Sequence, residues 1–350
     1  MNGIVPLHFY IERNARNLQD LLKYLVQNDV SHVWFEITGN SDTVTSQNIS
    51  DSFNLQVISV IKDKKLLQEI LKTDIRGIAV GPEMGIELLR YADTLKNRNI
   101  TVCLCAGGPD STITKENEFI TSLNEISRSA DELKKAGVKN LYFNIHHPNP
   151  VIHFNTNKLI KDTYGLKHII SLTPCEKRED SVILNSLSLG SLFYEKIGDA
   201  VLLRLPSDKK YTSQNVKGAV ELSKKILGSC RLFPRGYTII SCPTCGRCRL
   251  DLLKMTEEID CKLRTLEKNY NQEGKKLEDV GGIAVAVMGC NVNGPGEARS
   301  ADIGIAGRNN KTGIIFKNGK PFKTLPENKL VDELLIHTKN IIDQKFKAAG

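Results

Sequence analysis

The sequence predicts an α/β protein in two parts, a TIM-type (β/α)8 barrel over residues 1–230 and a smaller α/β domain over residues 231–350. Three observations carry that expectation. Eight short, β-rich apolar runs alternate with helix-period segments along the first part, and eight strand–helix units over roughly 230 residues suit a barrel whose usual size is about 250. No glycine-rich phosphate loop follows the first run, where Tyr10-Ile-Glu-Arg-Asn stands instead, which argues against a doubly wound nucleotide-binding sheet. The alternation stops near residues 229–236, and a Gly-rich, loop-rich region follows.

The runs read as strands are residues 4–10, 32–37, 55–60, 77–80, 100–105, 140–145, 168–172 and 200–205. Each is short and bounded by polar or turn residues, as buried parallel strands are. Between them, segments such as 18–26, 66–71, 86–95, 120–135 and 216–226 repeat apolar residues at three- and four-residue spacing, the period of a helix face. In the second part, residues 252–266 form one clear amphipathic helix with Leu252, Met255, Ile259, Leu263 and Leu266 on its inner face. The polar stretch 268–281 reads as an exposed excursion, 283–288 as a strand leading into Gly289-Cys290, and 329–346 as a closing helix.

Composition excludes several classes. Hydrophobic residues at 40% and charged residues at 25% are ordinary for a globular protein, and no apolar run approaches the length of a membrane helix. The start, Met1-Asn-Gly-Ile-Val-Pro, lacks the basic and apolar regions of a signal peptide, so a cytoplasmic location is expected. A net charge of +8 with only 6% aromatics does not describe a nucleic-acid surface. One cluster stands apart: Arg247, Arg249, Lys254, Lys262, Arg264 and Lys268 crowd one segment, a rim suited to an acidic protein partner.

Nine cysteines without a secretory signal do not read as a disulfide framework. Cys103, Cys105 and Cys175 lie in or beside apolar runs and read as inert packed thiols. Cys230 and Cys261 fit no pattern and read as structural. Cys242, Cys245, Cys248 and Cys290 sit in Gly/Pro-punctuated turns, as metal ligands do. In Ser241-Cys-Pro-Thr-Cys-Gly-Arg-Cys248 a Cys-x-x-Cys turn brings two thiols to one side of a tight loop, a device shared by redox dithiols, zinc knuckles and clusters. In Val287-Met-Gly-Cys-Asn-Val-Asn-Gly-Pro-Gly-Glu297 a cysteine ends a strand among small residues, which leaves room for a bulky cubane and N–H···S contacts. Spacing alone favours an iron–sulfur cluster over a structural zinc and leaves both open.

These two motifs resemble the 4-hydroxy-3-methylbut-2-enyl diphosphate synthase family, the iron–sulfur enzymes of the methylerythritol phosphate isoprenoid pathway. The matching pieces are Arg235-Gly, Cys242-Pro-Thr-Cys-Gly-Arg, Met288-Gly-Cys-Asn-Val-Asn-Gly-Pro-Gly-Glu-Ala and Ala301-Asp-Ile-Gly-Ile-Ala-Gly. Gly190-Ser-Leu-Phe-Tyr-Glu-Lys-Ile-Gly-Asp is similar to a further family segment. The resemblance implies an N-terminal barrel and a [4Fe–4S] cluster on Cys242, Cys245, Cys290 and the carboxylate of Glu297. Three soft thiolates and one exchangeable oxygen would leave one iron open to substrate. It also implies reductive ring opening and dehydration of 2-C-methyl-D-erythritol 2,4-cyclodiphosphate, with flavodoxin or ferredoxin as electron donor, in a homodimer or a mixed dimer with a paralogue. Cys248, which the family usually lacks, is the competing fourth ligand.

The barrel departs from the family's pattern. Where the family places Arg-Ile-Asn-Pro-Gly-Asn, Ile-Arg-Ile-Gly-Val-Asn and Ser-Val-Lys-Ala-Ser, this chain has Ala79-Val-Gly-Pro-Glu-Met, Val102-Cys-Leu-Cys-Ala-Gly and Asn144-Ile-His-His-Pro. Thr-Glu-Ala-Gly becomes Thr173-Pro-Cys-Glu, and Ala-Asp-Ile-His becomes Ile58-Ser-Val-Ile. A diphosphate needs fixed cationic donors, and most of the family's are replaced. His146 and His147 are the remaining candidates for a phosphate contact. The barrel could match the extra, substrate-free barrel of longer members, or belong to a diverged relative. A cluster-bearing electron-transfer subunit is the alternative to an enzyme.

Overall fold

The computed structural model describes residues 5–349 except 12–17, 107–112, 114, 174, 176, 206–212, 231, 234–235, 291–298 and 300, and only the backbone of 40, 41, 43, 44, 178 and 213. The chain divides into two compact units, Met1–Phe233 and Pro234–Gly350.

In the first unit β1 (Leu7–Ile11), β2 (Val30–Ile37), β3 (Gln56–Ile61), β4 (Gly77–Val80), β5 (Thr101–Cys105), β6 (Leu141–Asn144), β7 (Lys167–Ser171) and β8 (Ala200–Leu203) close a barrel in sequence order. All its strand pairs are parallel, and β8 returns to β1 with Leu7 opposite Val201 and Phe9 opposite Leu203. Alternation along each strand explains the two cores. Leu7, Phe9 and Ile11 belong to the main core, with side chains from the surrounding helices. Tyr10, Trp34, Ile58, Val60, Ala79, Cys103, Cys105, Ile169, Ala200 and Leu202 fill the lumen instead. Each of the eight expected runs overlaps one strand.

The surrounding helices are α1 (Leu18–Gln27), α2 (Asn40–Phe53), α3 (Lys64–Ile70), α4 (Pro82–Gly85), α5 (Ala92–Asn97), α6 (Glu116–Lys135), α7 (Pro150–Tyr164), α8 (Arg178–Asn185), α9 (Ser191–Tyr194) and α10 (Ser213–Ser229). Helices α2, α7 and α8 lie outside the segments named above for their periodicity. The start of α7 was nevertheless encoded: Asn149 Oδ1 accepts hydrogen bonds from the backbone N–H of Val151 and Ile152 at 2.9 and 3.3 Å, and Pro150 occupies the first turn.

The second unit is a five-stranded sheet of order β13-β12-β11-β10-β9, with β9 (Tyr237–Ser241), β10 (Ile283–Met288), β11 (Ile303–Arg308), β12 (Thr312–Lys317) and β13 (Lys320–Pro326). β9, β10 and β11 run parallel, and β12 and β13 pair antiparallel. Helices α11 (Leu252–Gln272) and α12 (Glu327–Ala349) contribute Met255, Ile259, Leu263 and Leu334 to a core with Val285 and Ile305. The expected inner face of α11 is buried except Leu266, which is partly so.

Two expectations are corrected here. Residues 268–281 are not an excursion: α11 continues to Gln272, and Tyr270 and Leu277 are 4% and 1% exposed. These two apolar anchors in a polar stretch tie it to the core, and the Tyr270 hydroxyl donates to Asp343. Cys261 is not packed but exposed on α11, whereas Cys230 is partly buried against the barrel core. Among the described residues no helix is long and apolar enough to cross a membrane.

Candidate functional site

The two cysteine motifs leave the sheet side by side. Ser241 is the last residue of β9 paired to β10, opposite Val287. Cys242 therefore emerges at the C-terminal edge of one parallel strand and Gly289-Cys290 at that of its neighbour, where parallel sheets commonly present their chemistry. The Cys242 N–H donates to the Val287 carbonyl at 3.3 Å, and the Gly289 N–H donates to Cys242 Sγ at 3.2 Å. That N–H···S contact stabilises a thiolate more than a thiol.

The turn between the first two motif cysteines and the third is equally specific. Thr244 has a left-handed φ of 61°, and the Cys248 N–H closes a turn onto the Cys245 carbonyl at 2.9 Å. Cys245 is exposed, and hydrogen bonds from the backbone and side chain of Arg247 hold its thiol below the usual range. Cys248 is different. It packs against the apolar core, and its thiol donates to the Leu250 carbonyl at 3.2 Å. A Cβ on Gly289 would lie 2.5 Å from Cys248 Sγ, so only glycine fits between Cys242 and Cys248.

The site residues predicted from sequence thus fall into three groups. Cys242 and Cys290 follow adjacent strand ends and are partly buried, and the exposed Cys245 follows Cys242 in the turn. Cys248 adjoins them but is engaged in packing. Glu297 lies outside the described residues, as do Arg235, Gly107, Pro174, Glu176 and most of the motif after Cys290. Among the described residues no three His, Cys, Asp or Glu side chains gather as a closed metal site. The donors present are soft thiols with an N–H···S contact and one depressed thiol pKa, a set whose chemistry suits a thiolate-bound metal group.

The basic rim is smaller than its sequence suggests. Lys262 is paired with Glu258 and Asp332 at 2.9 and 2.7 Å, and Arg264 with Asp260 at 2.6 Å. Arg249, Lys254 and Lys268 make no ion pair among the described residues, and with Arg247 they retain the positive character.

In the barrel, His147 is a structural residue: its Nδ1 accepts the Asn149 N–H at 3.0 Å and its ring meets Phe119 edge-on. His146 has the opposite parity, two residues beyond Asn144 on the lumen side. Arg204, which sequence reasoning passed over, follows Ala200 and Leu202 at lumen parity just past β8 and is 7% exposed. Its Nη2 donates to Asn144 Oδ1 at 3.4 Å and its guanidinium lies over the Tyr10 ring. Asn144 is fixed in turn by the Ile169 carbonyl and Ser171 Oγ, at 2.6 and 2.9 Å. An arginine ending an otherwise apolar strand was the available signal.

The GcpE protein C-terminal domain profile matches residues 238–340, which contain Cys242, Cys245 and Cys290. Longer relatives carry the name 4-hydroxy-3-methylbut-2-en-1-yl diphosphate synthase (flavodoxin). That of Clostridium tetani is 33% identical over 265 residues, 75% of this chain and 70% of its own length. That of Persephonella marina is 30% identical over 280 residues, covering 77% and 73%. That of Clostridium acetobutylicum is 28% identical over 302 residues, covering 84% and 80%. Such spans exceed the second unit alone, so the likeness reaches well into the barrel. The chain belongs to the 4-hydroxy-3-methylbut-2-en-1-yl diphosphate synthase (flavodoxin) family.

Proposed function

We propose that the protein is a [4Fe–4S] oxidoreductase that converts 2-C-methyl-D-erythritol 2,4-cyclodiphosphate to 4-hydroxy-3-methylbut-2-enyl diphosphate. Two electrons and two protons enter, the ring C–O bond opens, and one water leaves. The observation that carries this reading is the pair of adjacent parallel strand ends that lead into Cys242 and Gly289-Cys290, with the Gly289 N–H on Cys242 Sγ. Glu297 is the proposed fourth ligand, because Cys248 is already packed and bonded to Leu250. Bound there, the cluster would supply electrons singly to the substrate.

The chain's own residues do the rest. Gly289 and Arg247 stabilise thiolates by hydrogen bonding, and the apolar core behind Cys242 and Cys248 limits water on one side. Arg247, Arg249, Lys254 and Lys268 offer the positive rim to an acidic donor, and the relatives' name specifies flavodoxin. A dimer, of two copies or with a paralogue, completes the proposal. The replaced barrel motifs favour a second reading, a non-catalytic subunit that passes electrons to a partner.

The test is anaerobic reconstitution with iron and sulfide, followed by turnover of the cyclic diphosphate with reduced flavodoxin. Iron and sulfide near four each per chain, with product formed, support the proposal. Zinc in place of iron sinks it. A loaded cluster without turnover, alone or with a paralogue, points to the electron-transfer subunit.

A further inference from the structure

Two thiols inside the barrel take no part in the cluster chemistry. Cys103 and Cys105 stand two residues apart on β5, so strand alternation sends both to the same side, where they pack with Tyr10, Trp34 and Ala79 and are 0% exposed. Their sulfurs lie 4.0 Å apart. Among the described residues the Cys105 thiol reaches only that sulfur and the Cys103 carbonyl at 3.9 Å, both weak contacts. The register sets Asn144 beside Cys105, and Asn144 Oδ1 accepts from Arg204 at 3.4 Å. A permanent positive charge therefore stands by the pair. Burial and the second sulfur push the Cys103 thiol well above its ordinary range, and the Arg204 guanidinium pulls the other way.

We propose that Cys103 and Cys105 form a low-coordinate site inside the barrel for a soft monovalent cation, copper(I) in class. Thiolates are the donors such an ion prefers. Two metal–sulfur bonds of about 2.3 Å that span the 4.0 Å gap enclose about 120°, the trigonal angle and wider than zinc's tetrahedral one. Zinc also asks for four ligands, and among the described residues no three His, Cys, Asp or Glu side chains gather.

Charge selects the same ion. A buried site is cheapest when its net charge is zero. Two thiolates with one copper(I) carry a single negative charge, which the Arg204 guanidinium offsets. A divalent ion would leave that guanidinium uncompensated. On loading, each S–H bond gives up its proton to solvent and each sulfur bonds to copper, with no change of oxidation state. Two protons thus leave for each ion bound. Packing alone accounts for one buried thiol. It gives no reason for two sulfurs at ligand spacing beside a fixed cation.

The experiment titrates copper(I), supplied as its acetonitrile complex, into the anaerobically purified full chain against the chelator bathocuproine disulfonate. The turn cysteines also bind copper, so the readout is a difference between chains. Cys103→Ser and Cys105→Ser should each hold about one copper fewer per chain and release about two protons fewer, with iron and sulfide content unchanged. Arg204→Gln should weaken that one copper by about tenfold to a hundredfold, as loss of an outer-shell partner does. Zinc should not compete for it. Should a serine variant fail to fold, the Cβ resonances of Cys103 and Cys105 in the unaltered chain should both shift in NMR on adding copper(I). Equal copper in the serine variants and the unaltered chain, zinc held as tightly, unchanged affinity in Arg204→Gln or unmoved resonances would each overturn the site. So would a Cys103–Cys105 disulfide, two hydrogens lighter by mass, in place of bound copper. None of these readouts needs turnover, so the site stands or falls apart from the synthase reading.

Discussion

Gly289→Ala tests how the cluster edge is assembled. The new Cβ would sit 2.5 Å from Cys248 Sγ, 3.2 Å from its Cβ and 3.4 Å from its Cα. Gly289 cannot retreat, because its N–H is held by Cys242 Sγ and its carbonyl accepts the Arg249 N–H at 2.8 Å. On the far side, that carbonyl lies within 2.4 Å of where a Cβ on Gly307 would be. Overpacking of this kind costs about 1–3 kcal/mol. Anaerobic urea unfolding of the metal-free chain should show the second unit destabilised by that amount. Cys248→Ala alone should cost about 0.5–1.5 kcal/mol, the worth of its lost hydrogen bond. In the double variant the 2.5 Å clash is gone and 3.2 Å becomes the closest approach. Most of the Gly289→Ala penalty should then disappear, an interaction energy of about 1 kcal/mol or more. Strict additivity of the two substitutions would refute the steric account, and with it the placement of Cys248 against Gly289.

Further predictions concern the ligands, the rim and the barrel histidines. Cys242→Ser, Cys245→Ser and Cys290→Ser should each abolish the brown chromophore near about 400 nm, and full iron retention in Cys290→Ser would remove that residue from the ligand set. Glu297→Ala should yield a [3Fe–4S] electron paramagnetic resonance signal after oxidation, whereas Cys248→Ala should leave the spectrum alone; the reverse pair would favour electron transfer over catalysis. Reversing Arg249 and Lys254 to Glu should slow reduction by flavodoxin most at low salt and leave dithionite reduction unchanged. Burial, with Lys161 and His153 nearby, depresses the His168 pKa to about 3. The unfolded chain, near 6.5, then binds more protons on acidification, so stability is full above pH 6.5 and falls toward pH 3. From His168 alone the loss at pH 5 is about 2 kcal/mol. Unfolding measured against pH should show that slope, and His168→Gln should remove about one proton from it.

The barrel was legible because its signal is local and repeated. Eight apolar runs separated by helix-period segments leave few other topologies, and each run overlaps a strand. The second unit was less legible. β12 and β13 join through Asn318-Gly319, both at left-handed φ, the turn pair that favours a two-residue hairpin, yet the polar flanks of β13 conceal its alternation. Helix α2 is likewise too polar to show a face.

Chemistry divides along the same line. Cysteine identity and turn context by themselves set Cys242, Cys245, Cys248 and Cys290 apart from the packed thiols, and the resemblance singled out Cys242, Cys245 and Cys290 as the expected ligands. Their family likeness was also carried in the linear motif. Only the tertiary structure separated His146 from His147, because packing decides which of two adjacent histidines sets its ring against His153 and which accepts the Asn149 N–H. It alone brought Arg204 beside Asn144, 60 residues away in sequence, and set Cys248 against Gly289. Contacts between distant segments depend on how strands register and close, and no short stretch of sequence encodes that.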